Sequence, residues 1–176
     1  TLQWYQLGWG YDPKNLVVSV VDGDSPLADD VEAVSFTRER TVVTDIRLIN
    51  KIETKKSRRL LSLWRIARFG DQGQVFVAMF RPSGKDFLGA IVVKQNERLM
   101  MSDYAAVFSM DGTNIWRIGD DGVFSAKPFQ LNRVSKDAEG TWSFLFQWRG
   151  KHTVNEFQLE DSGGLLLKQF VNYYFE

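Results

Sequence analysis

Hydrophobic residues recur at every second position or in short runs between glycines through most of the chain. The clearest alternation lies in Thr41–Ile49, where Ile46 and Leu48 would face one side of a strand. Apolar residues at 3.6-residue spacing over ten or more positions are scarce, so helices are not favoured. The pattern predicts strands at Gln3–Trp9, Leu16–Val21, Val31–Phe36, Thr41–Ile49, Leu60–Phe69, Gln74–Phe80, Phe87–Lys94, Tyr104–Phe108, Asn114–Ile118, Val123–Ala126, Phe129–Val134, Trp142–Trp148, Thr153–Leu159 and Leu165–Phe175.

One segment competes for a helix. Within 55–69, an apolar stripe that includes Leu60 and Trp64 could oppose several arginines on a helical surface. A strand, with or without a short helical turn before it, is favoured over a full helix because the segment runs through Phe69 into a glycine turn.

Turn signals separate the predicted strands at short intervals, and they include Asp-Gly pairs that favour tight hairpins. They lie at 70–73, 82–85, 111–112, 120–122, 139–140, 149–150 and 162–164. Short strands at such spacing predict an all-β fold, an antiparallel barrel or sandwich of many strands joined by hairpins. The four prolines are dispersed and form no linker, so we expect one β-rich domain over residues 1–176.

A possible internal repeat refines this class. The segment Trp64-Arg65-Ile66, a glycine turn and then Val75-Phe76 is matched by Trp116-Arg117-Ile118, a glycine turn and then Val123-Phe124. This pattern resembles the strand pairs of β-trefoil proteins, which implies three four-stranded units. Both copies lack the Gln-x-Trp signature of trefoil lectins, and hairpins that converge on cross-strand aromatic pairs explain the same pattern.

The net charge of zero conceals a partition along the chain. Residues 1–50 carry 4 basic and 8 acidic side chains, 51–101 carry 11 and 4, and 102–176 carry 7 and 10. The densest basic stretch supplies candidate anion-binding residues, which are Lys51, Lys55, Lys56, Arg58 and Arg59. Such a cluster can meet phosphates of acidic lipid or nucleic acid. A solvated loop whose cations face the acidic thirds is the favoured interpretation.

The reactive residue types exclude most catalytic chemistry. There is no cysteine and only one histidine, His152, which removes thiolate chemistry and multi-histidine metal sites. Asp161-Ser162-Gly163-Gly164 resembles the nucleophile loop of trypsin-like proteases, but a hairpin turn is favoured because His152 lies only ten residues upstream. We assign no catalytic residue and expect no metal or cofactor. A hydrolase using two carboxylates stays as an alternative without assigned residues.

Trp9 stands apart from the other tryptophans because glycines flank it on both sides. An indole on an open loop can stack against a sugar ring or an apolar ligand while its N–H donates a hydrogen bond. The candidate ligand-binding residues are therefore Trp9, Tyr11 and Asp12. The same loop could instead fold back to plug one end of a barrel.

These observations favour a non-catalytic β-barrel or β-sandwich module that recognises a carbohydrate or a small apolar ligand. A cavity inside the fold would favour the apolar ligand, whereas a filled core would favour recognition at the surface. The alternative from another class is a peripheral binder of anionic surfaces through residues 51–59. We expect no transmembrane segment, since no run approaches about 20 apolar residues. A soluble protein is expected, the cytoplasm is slightly favoured as its compartment, and homo-oligomers are left open.

Overall fold

The strands that the structure describes join in one sheet of ten. A computed structural model describes residues 31–84, 86–107, 126–127, 129–149, 153–163 and 165–174. The elements are β1 (Glu32–Ala33), β2 (Phe36–Val42), α1 (Ile46–Lys56), β3 (Leu60–Phe69), β4 (Gly73–Phe80), β5 (Asp86–Gln95), β6 (Arg98–Val107), β7 (Phe129–Lys136), β8 (Trp142–Arg149), β9 (Thr153–Ser162) and β10 (Leu165–Tyr174). The all-β prediction is confirmed, and the single domain over 1–176 stays a prediction.

The sheet consists of two antiparallel halves that pack face to face as a sandwich. The strand order is β1-β7-β8-β9-β10-β6-β5-β4-β3-β2. One half is the meander β2–β6, and the other contains β7–β10 with β1 at its edge. The halves meet where β10 runs parallel to β6, with one register pair, Leu165 and Met101. They meet again through the chain itself, because β1 and β2 are separated by only two residues.

Most described strands agree with the predicted ones, but the prediction for 41–49 is wrong beyond Val42. The chain leaves the sheet there and forms α1, which begins after the N-cap Asp45. The Asp45 carboxylate accepts hydrogen bonds from the N–H groups of Arg47, at 2.9 Å, and Leu48, at 3.3 Å. Capping of the free N–H groups stabilises the start of a helix. The residues after Asp45, whose alternation is typical of a strand, therefore form the first helical turn.

The interior between the two halves is filled with interlocking side chains. Phe69 on β3 contacts Trp142 and Phe144 on β8, each with ring centroids 5.2 Å apart. Tyr104 on β6 lies 6.1 Å from Phe157 on β9. The same buried cluster also contains Val75, Val77, Ile91, Val93, Phe129, Leu131, Phe146 and Leu159. Rings from opposite halves therefore occupy the space in which a sandwich could hold a ligand.

The helix covers the outer face of the β3–β6 half. Leu48 and Ile52, one helical turn apart, are buried against Phe76, Phe80 and Val92. β4 and β5 are consequently apolar on both faces, which explains their continuous hydrophobic sequence. Among the described residues, no helix is long and apolar enough to cross a membrane.

The halves adjoin along two edges, which we call seams, and arginine side chains form hydrogen bonds across both. Arg38 on β2 donates through Nε to the Leu131 carbonyl at 2.8 Å, and Arg40 donates to the Lys127 carbonyl at 2.8 Å. At the other seam, Arg98 on β6 forms two hydrogen bonds of 2.8 and 2.9 Å with the Asp161 carboxylate on β9. This pair spans β10, where the backbone pairing between the halves is shortest.

Glycine turns occur where the sequence predicts them, with positive φ at Gly70, Gly84, Gly140 and Gly163. The last confirms a hairpin in 162–164 rather than a protease loop. One turn was not predicted, at Asn96, whose φ of 51° closes the β5–β6 hairpin. Asparagine tolerates this left-handed conformation better than most residues.

The β-trefoil interpretation is not confirmed. The first copy of the proposed repeat forms the β3–β4 hairpin of a longer meander rather than part of a four-stranded unit. The second copy, 116–126, lies outside the described residues except for Ala126.

Candidate functional site

The two groups of predicted site residues have different outcomes. Trp9, Tyr11 and Asp12 lie outside the described residues, so their role in ligand contact stays a prediction. The five basic residues lie in the last turns of α1 and in the segment that leads to β3.

The three lysines attach the helix to β6 and to the turn before it. Lys51 pairs with Glu97. Lys55 donates to the Leu99 carbonyl at 2.8 Å. Lys56 lies 2.6 Å from the Asp103 carboxylate, and its side chain is only 20 % exposed. Lysines further along the helix thus contact positions further along the chain, first in the turn and then on β6, which holds the helix against this strand.

The two arginines surround the end of the helix. Arg58 donates to the Asp86 carbonyl at 2.8 Å, and Arg59 lies 2.7 Å from the Glu53 carboxylate. The Leu60 N–H donates to Glu53 at 2.7 Å, and this bond, together with Arg59, holds the pKa of the Glu53 carboxyl below its usual range. An open depression of about 440 Å³ lies beside these groups and is lined by Asn50, Glu53, Thr54, Ser57, Arg58 and Arg59.

The cations of the basic segment therefore fall into two groups according to their partners. Lys51, Lys56 and Arg59 face carboxylates, which offset their charge. Lys55 and Arg58 donate to neutral carbonyl groups, and neither forms an ion pair with a carboxylate among the described residues. The favoured interpretation differs from the structure, since the three lysines lie on a helix and not in a loop. Of the three carboxylate partners, only Asp103 belongs to an acidic third of the chain, whereas Glu53 and Glu97 lie in the basic third itself.

A second group of polar side chains lies on the outer face of the other half. The strand register places Gln130 on β7 opposite Gln147 on β8, and Gln147 opposite Glu156 on β9. Their chain neighbours Phe146 and Phe157 are fully buried in the interior. Because successive side chains of a strand point to opposite faces, the three polar residues form one row on the outer face.

A β-bulge adds Asn132 to this row. The register between β7 and β8 shifts at Leu131/Arg133, which leaves Asn132 unpaired in the ladder. Its Oδ1 accepts hydrogen bonds from Gln130 Nε2, at 3.0 Å, and Arg38 Nη2, at 3.3 Å. Bulges often turn a side chain toward a site. We call the connected group Arg38, Gln130, Asn132, Gln147 and Glu156 the amide cluster.

Glu156 lies in a less polar environment than an ordinary surface carboxylate. Partial burial raises the pKa of the Glu156 carboxyl, and a hydrogen bond from Asn132 offsets part of this effect. All cluster members except the exposed Arg38 are partly exposed. The cluster thus presents guanidinium and amide donors beside amide and carboxylate acceptors, a set suited to ligands rich in hydroxyl groups.

The amide cluster was not predicted from the sequence. Its signal is the alternation of amide or acidic residues with large apolar ones, as in Phe129-Gln130-Leu131 and Glu156-Phe157-Gln158. The pairing of the strands, which decides that three such positions form one row, is a long-range property of the fold. Within the described residues, no group of three His, Cys, Asp or Glu side chains is placed to hold a metal ion.

Comparison of the chain with protein families, with curated proteins and with solved structures found no match.

Proposed function

We propose that this chain is a non-catalytic β-sandwich module that recognises a carbohydrate at its outer surface. The observation that carries the proposal is the amide cluster on the outer face of β7–β9, where Asn132 connects Gln130, Arg38 and Glu156 by hydrogen bonds.

The packing of the interior supports an external site. Phe144, Phe146 and Phe157 are fully buried between the two halves. An apolar ligand inside the sandwich would have to displace such rings, each of which contributes about 3–5 kcal/mol to core packing. Recognition at the surface needs no such rearrangement.

The chemistry of the cluster supports a polyhydroxyl ligand. A sugar hydroxyl donates one hydrogen bond and accepts two, so it fits a surface that offers both donors and acceptors at fixed positions. The network holds the Asn132 amide before any ligand arrives, which lowers the conformational cost of binding. The aromatic contact would come from Trp9 and Tyr11, as the sequence predicts.

The test is a glycan array followed by calorimetry on any ligand found. The double variant Gln130→Ala with Gln147→Ala should weaken binding by about tenfold or more, since two hydrogen bonds contribute about 1–3 kcal/mol together. The matched control is Gln95→Ala, a partly exposed strand glutamine in the other half. A wild-type protein that binds no glycan, or a double variant that binds as tightly as the control, contradicts the proposal.

A second candidate function, binding of an anionic surface through residues 51–59, is favoured by Lys55 and Arg58, which donate to carbonyl groups and form no ion pair within the described part of the chain. Their partners are carbonyl groups, so both cations can also meet phosphate groups from solvent. Binding of this kind should weaken strongly as salt increases.

Charge reversal tests this candidate. Lys55→Glu with Arg58→Glu should abolish binding to acidic lipid vesicles or to nucleic acid. Lys127→Glu with Arg133→Glu, which changes net charge equally at two exposed positions, should have a smaller effect. Binding that survives the first double variant would exclude the segment as the contact surface.

A further inference from the structure

Exposed aliphatic side chains gather at one end of the sandwich. Among the described residues, the large hydrophobic side chains with substantial exposure are Val31, Val42, Ile46 and Leu61. The last three are 64 %, 63 % and 55 % exposed, respectively. They occupy the end of β2, the first residue of α1 and the start of β3.

Backbone contacts bring these three positions together. The Val43 N–H donates to the Leu63 carbonyl at 2.9 Å, so the chain after Val42 continues beside the chain around Leu61. Ile46 follows at once, since only Thr44 and Asp45 separate it from Val43.

Arginines border the same end. Arg47 is the second residue of α1 and is exposed. Arg59 precedes β3 and is 78 % exposed along its side chain. The exposed Arg81 lies beside it, because the Arg81 N–H donates to the Arg59 carbonyl at 2.8 Å. We call Val42, Ile46, Arg47, Arg59, Leu61 and Arg81 the end patch.

We propose that the end patch docks on an anionic lipid surface. In this arrangement Arg47 and Arg81 contact headgroup phosphates, and Arg59 stays paired with Glu53. The three aliphatic side chains enter the boundary between headgroups and acyl chains. Apolar surface bordered by polar residues commonly marks an interaction site. The border keeps a net positive charge, because Arg47, Arg59 and Arg81 outnumber the carboxylates Asp45 and Glu53 beside them, and this charge favours an anionic partner.

The aliphatic character of the patch favours lipid over nucleic acid. Proteins that hold single-stranded nucleic acids stack bases on aromatic rings, and duplex binding relies on cations and groove contacts. Val42, Ile46 and Leu61 offer no flat ring for stacking. A membrane interface can bury all three, because its acyl region accepts apolar side chains of any shape.

This inference is independent of carbohydrate recognition. The amide cluster lies on β7–β9, whereas the end patch is built from β2, α1, β3 and the residue after β4. It also differs from binding through residues 51–59, with which it shares only Arg59, because it requires the aliphatic side chains. Loss of either carbohydrate or lipid binding would leave the other intact.

The experiment is cosedimentation with phosphatidylcholine vesicles, with and without phosphatidylserine, at low salt. The wild-type protein should prefer the vesicles that contain phosphatidylserine. The triple variant Val42→Ser, Ile46→Ser, Leu61→Ser and the double variant Arg47→Glu, Arg81→Glu should each weaken that binding by about tenfold or more. Val31→Ser, an exposed aliphatic residue outside the patch, is the control and should bind as the wild type does.

Several results would overturn the proposal. One is equal binding of the wild type to both kinds of vesicle. Another is a triple serine variant that binds lipid as tightly as Val31→Ser. Binding to single-stranded DNA that the serine changes leave intact, without preference for acidic vesicles, would identify a nucleic acid instead. If thermal unfolding shows that the triple variant is not folded, Ile46→Ser alone supplies the same comparison.

Discussion

At the scale of single residues, Gly73 shows how tightly the interior is packed against the Phe69 ring. A Cβ at this position would lie 2.4 Å from Phe69 Cε2, far inside van der Waals contact. The ring cannot yield, because it is 2 % exposed and packs against Trp142 and Phe144. The first residue of β4 is therefore restricted to glycine, because Gly73 lies directly opposite Phe69 on the paired strand.

Gly73→Ala should lower the free energy of unfolding by about 1–3 kcal/mol, the usual cost of overpacking a core. Gln72→Ala, in the adjacent exposed turn, should change it by less than about 0.5 kcal/mol. Urea unfolding followed by tryptophan fluorescence measures both. Equal stability of the two variants would show that the Phe69 ring moves freely.

Glu39 on β2 is the residue whose ionisation most directly connects two strands. Burial acts to raise the pKa of its carboxyl, but hydrogen bonds and charges from Arg65 and Arg68 outweigh burial and hold that pKa below its ordinary value. Arg65 and Glu39 are both partly buried, and Arg68 Nε lies 3.0 Å from the same carboxylate. The unfolded chain therefore binds a proton to Glu39 more readily than the folded protein does.

The stabilisation that ionised Glu39 contributes is present above the pKa that its carboxyl has in the unfolded chain. It disappears as pH falls through the lower pKa of this carboxyl in the folded protein. Glu39→Gln should destabilise the protein by about 1–2 kcal/mol at pH 7. The difference from wild type should shrink below about pH 4, where the unfolded chain is protonated. Thermal unfolding across this pH range measures the difference, and a constant gap would contradict a role for the charge.

At the scale of elements, α1 shows which parts of the fold local sequence determines. The β3–β5 strands were predicted within one residue of their ends because glycine or proline turns bound them on at least one side. The segment 41–49 was mistaken for a strand, since Asp45 and Arg47 alternate with Ile46 and Leu48 over too few residues to separate the two periods. Burial of Leu48 with Ile52 is what identifies the helix.

The candidate sites differ in predictability for a related reason. The basic candidate residues lie close together in sequence, within 51–59, so composition alone identifies them. The amide cluster joins β2, β7, β8 and β9, and its members come within reach only through strand pairing and the bulge at Asn132. Sequence patterns report which residues point outward from a strand, but not which outward residues become neighbours.

Asp45→Ala should lower the free energy of unfolding by about 1 kcal/mol, because two N–H groups at the start of α1 lose their acceptor. Asp45→Asn is the control and should retain most of the stability, since its side-chain oxygen accepts the same hydrogen bonds. Hydrogen exchange should accelerate in α1 of the alanine variant before it changes in β4. Similar losses in both variants would show that the charge matters, and not the cap.

At the scale of the whole molecule, the two halves are joined unevenly. Eight pairs of strands hydrogen-bond in antiparallel register, seven of them through five or more residue pairs, whereas β6 and β10 share a single parallel pair. The Arg98–Asp161 ion pair lies at this junction, with the Asp161 side chain only 7 % exposed. A bidentate pair of this kind is stronger than an ordinary surface ion pair.

Arg98→Ala should destabilise the protein by about 2–4 kcal/mol, because it leaves the nearly buried Asp161 carboxylate without this partner. A double-mutant cycle with Asp161→Asn should give a coupling energy above about 1 kcal/mol. The matched surface pair is Lys51–Glu97, whose side chains are 51 % and 83 % exposed. The double-mutant cycle for this pair should give a coupling energy of less than about 1 kcal/mol. Equal coupling energies for the two pairs would show that the pair at the junction contributes no more than a surface pair.

The arginines of β2 have a consequence for self-association. An edge strand with free N–H and C=O groups is a template on which a second chain can add strands and start a fibril. Arg38 and Arg40 extend from the last strand of the sheet to carbonyl groups of the opposite half, so bulky cations occupy the approach to that edge. Their contacts therefore make β2 a poorer template for strands of other molecules.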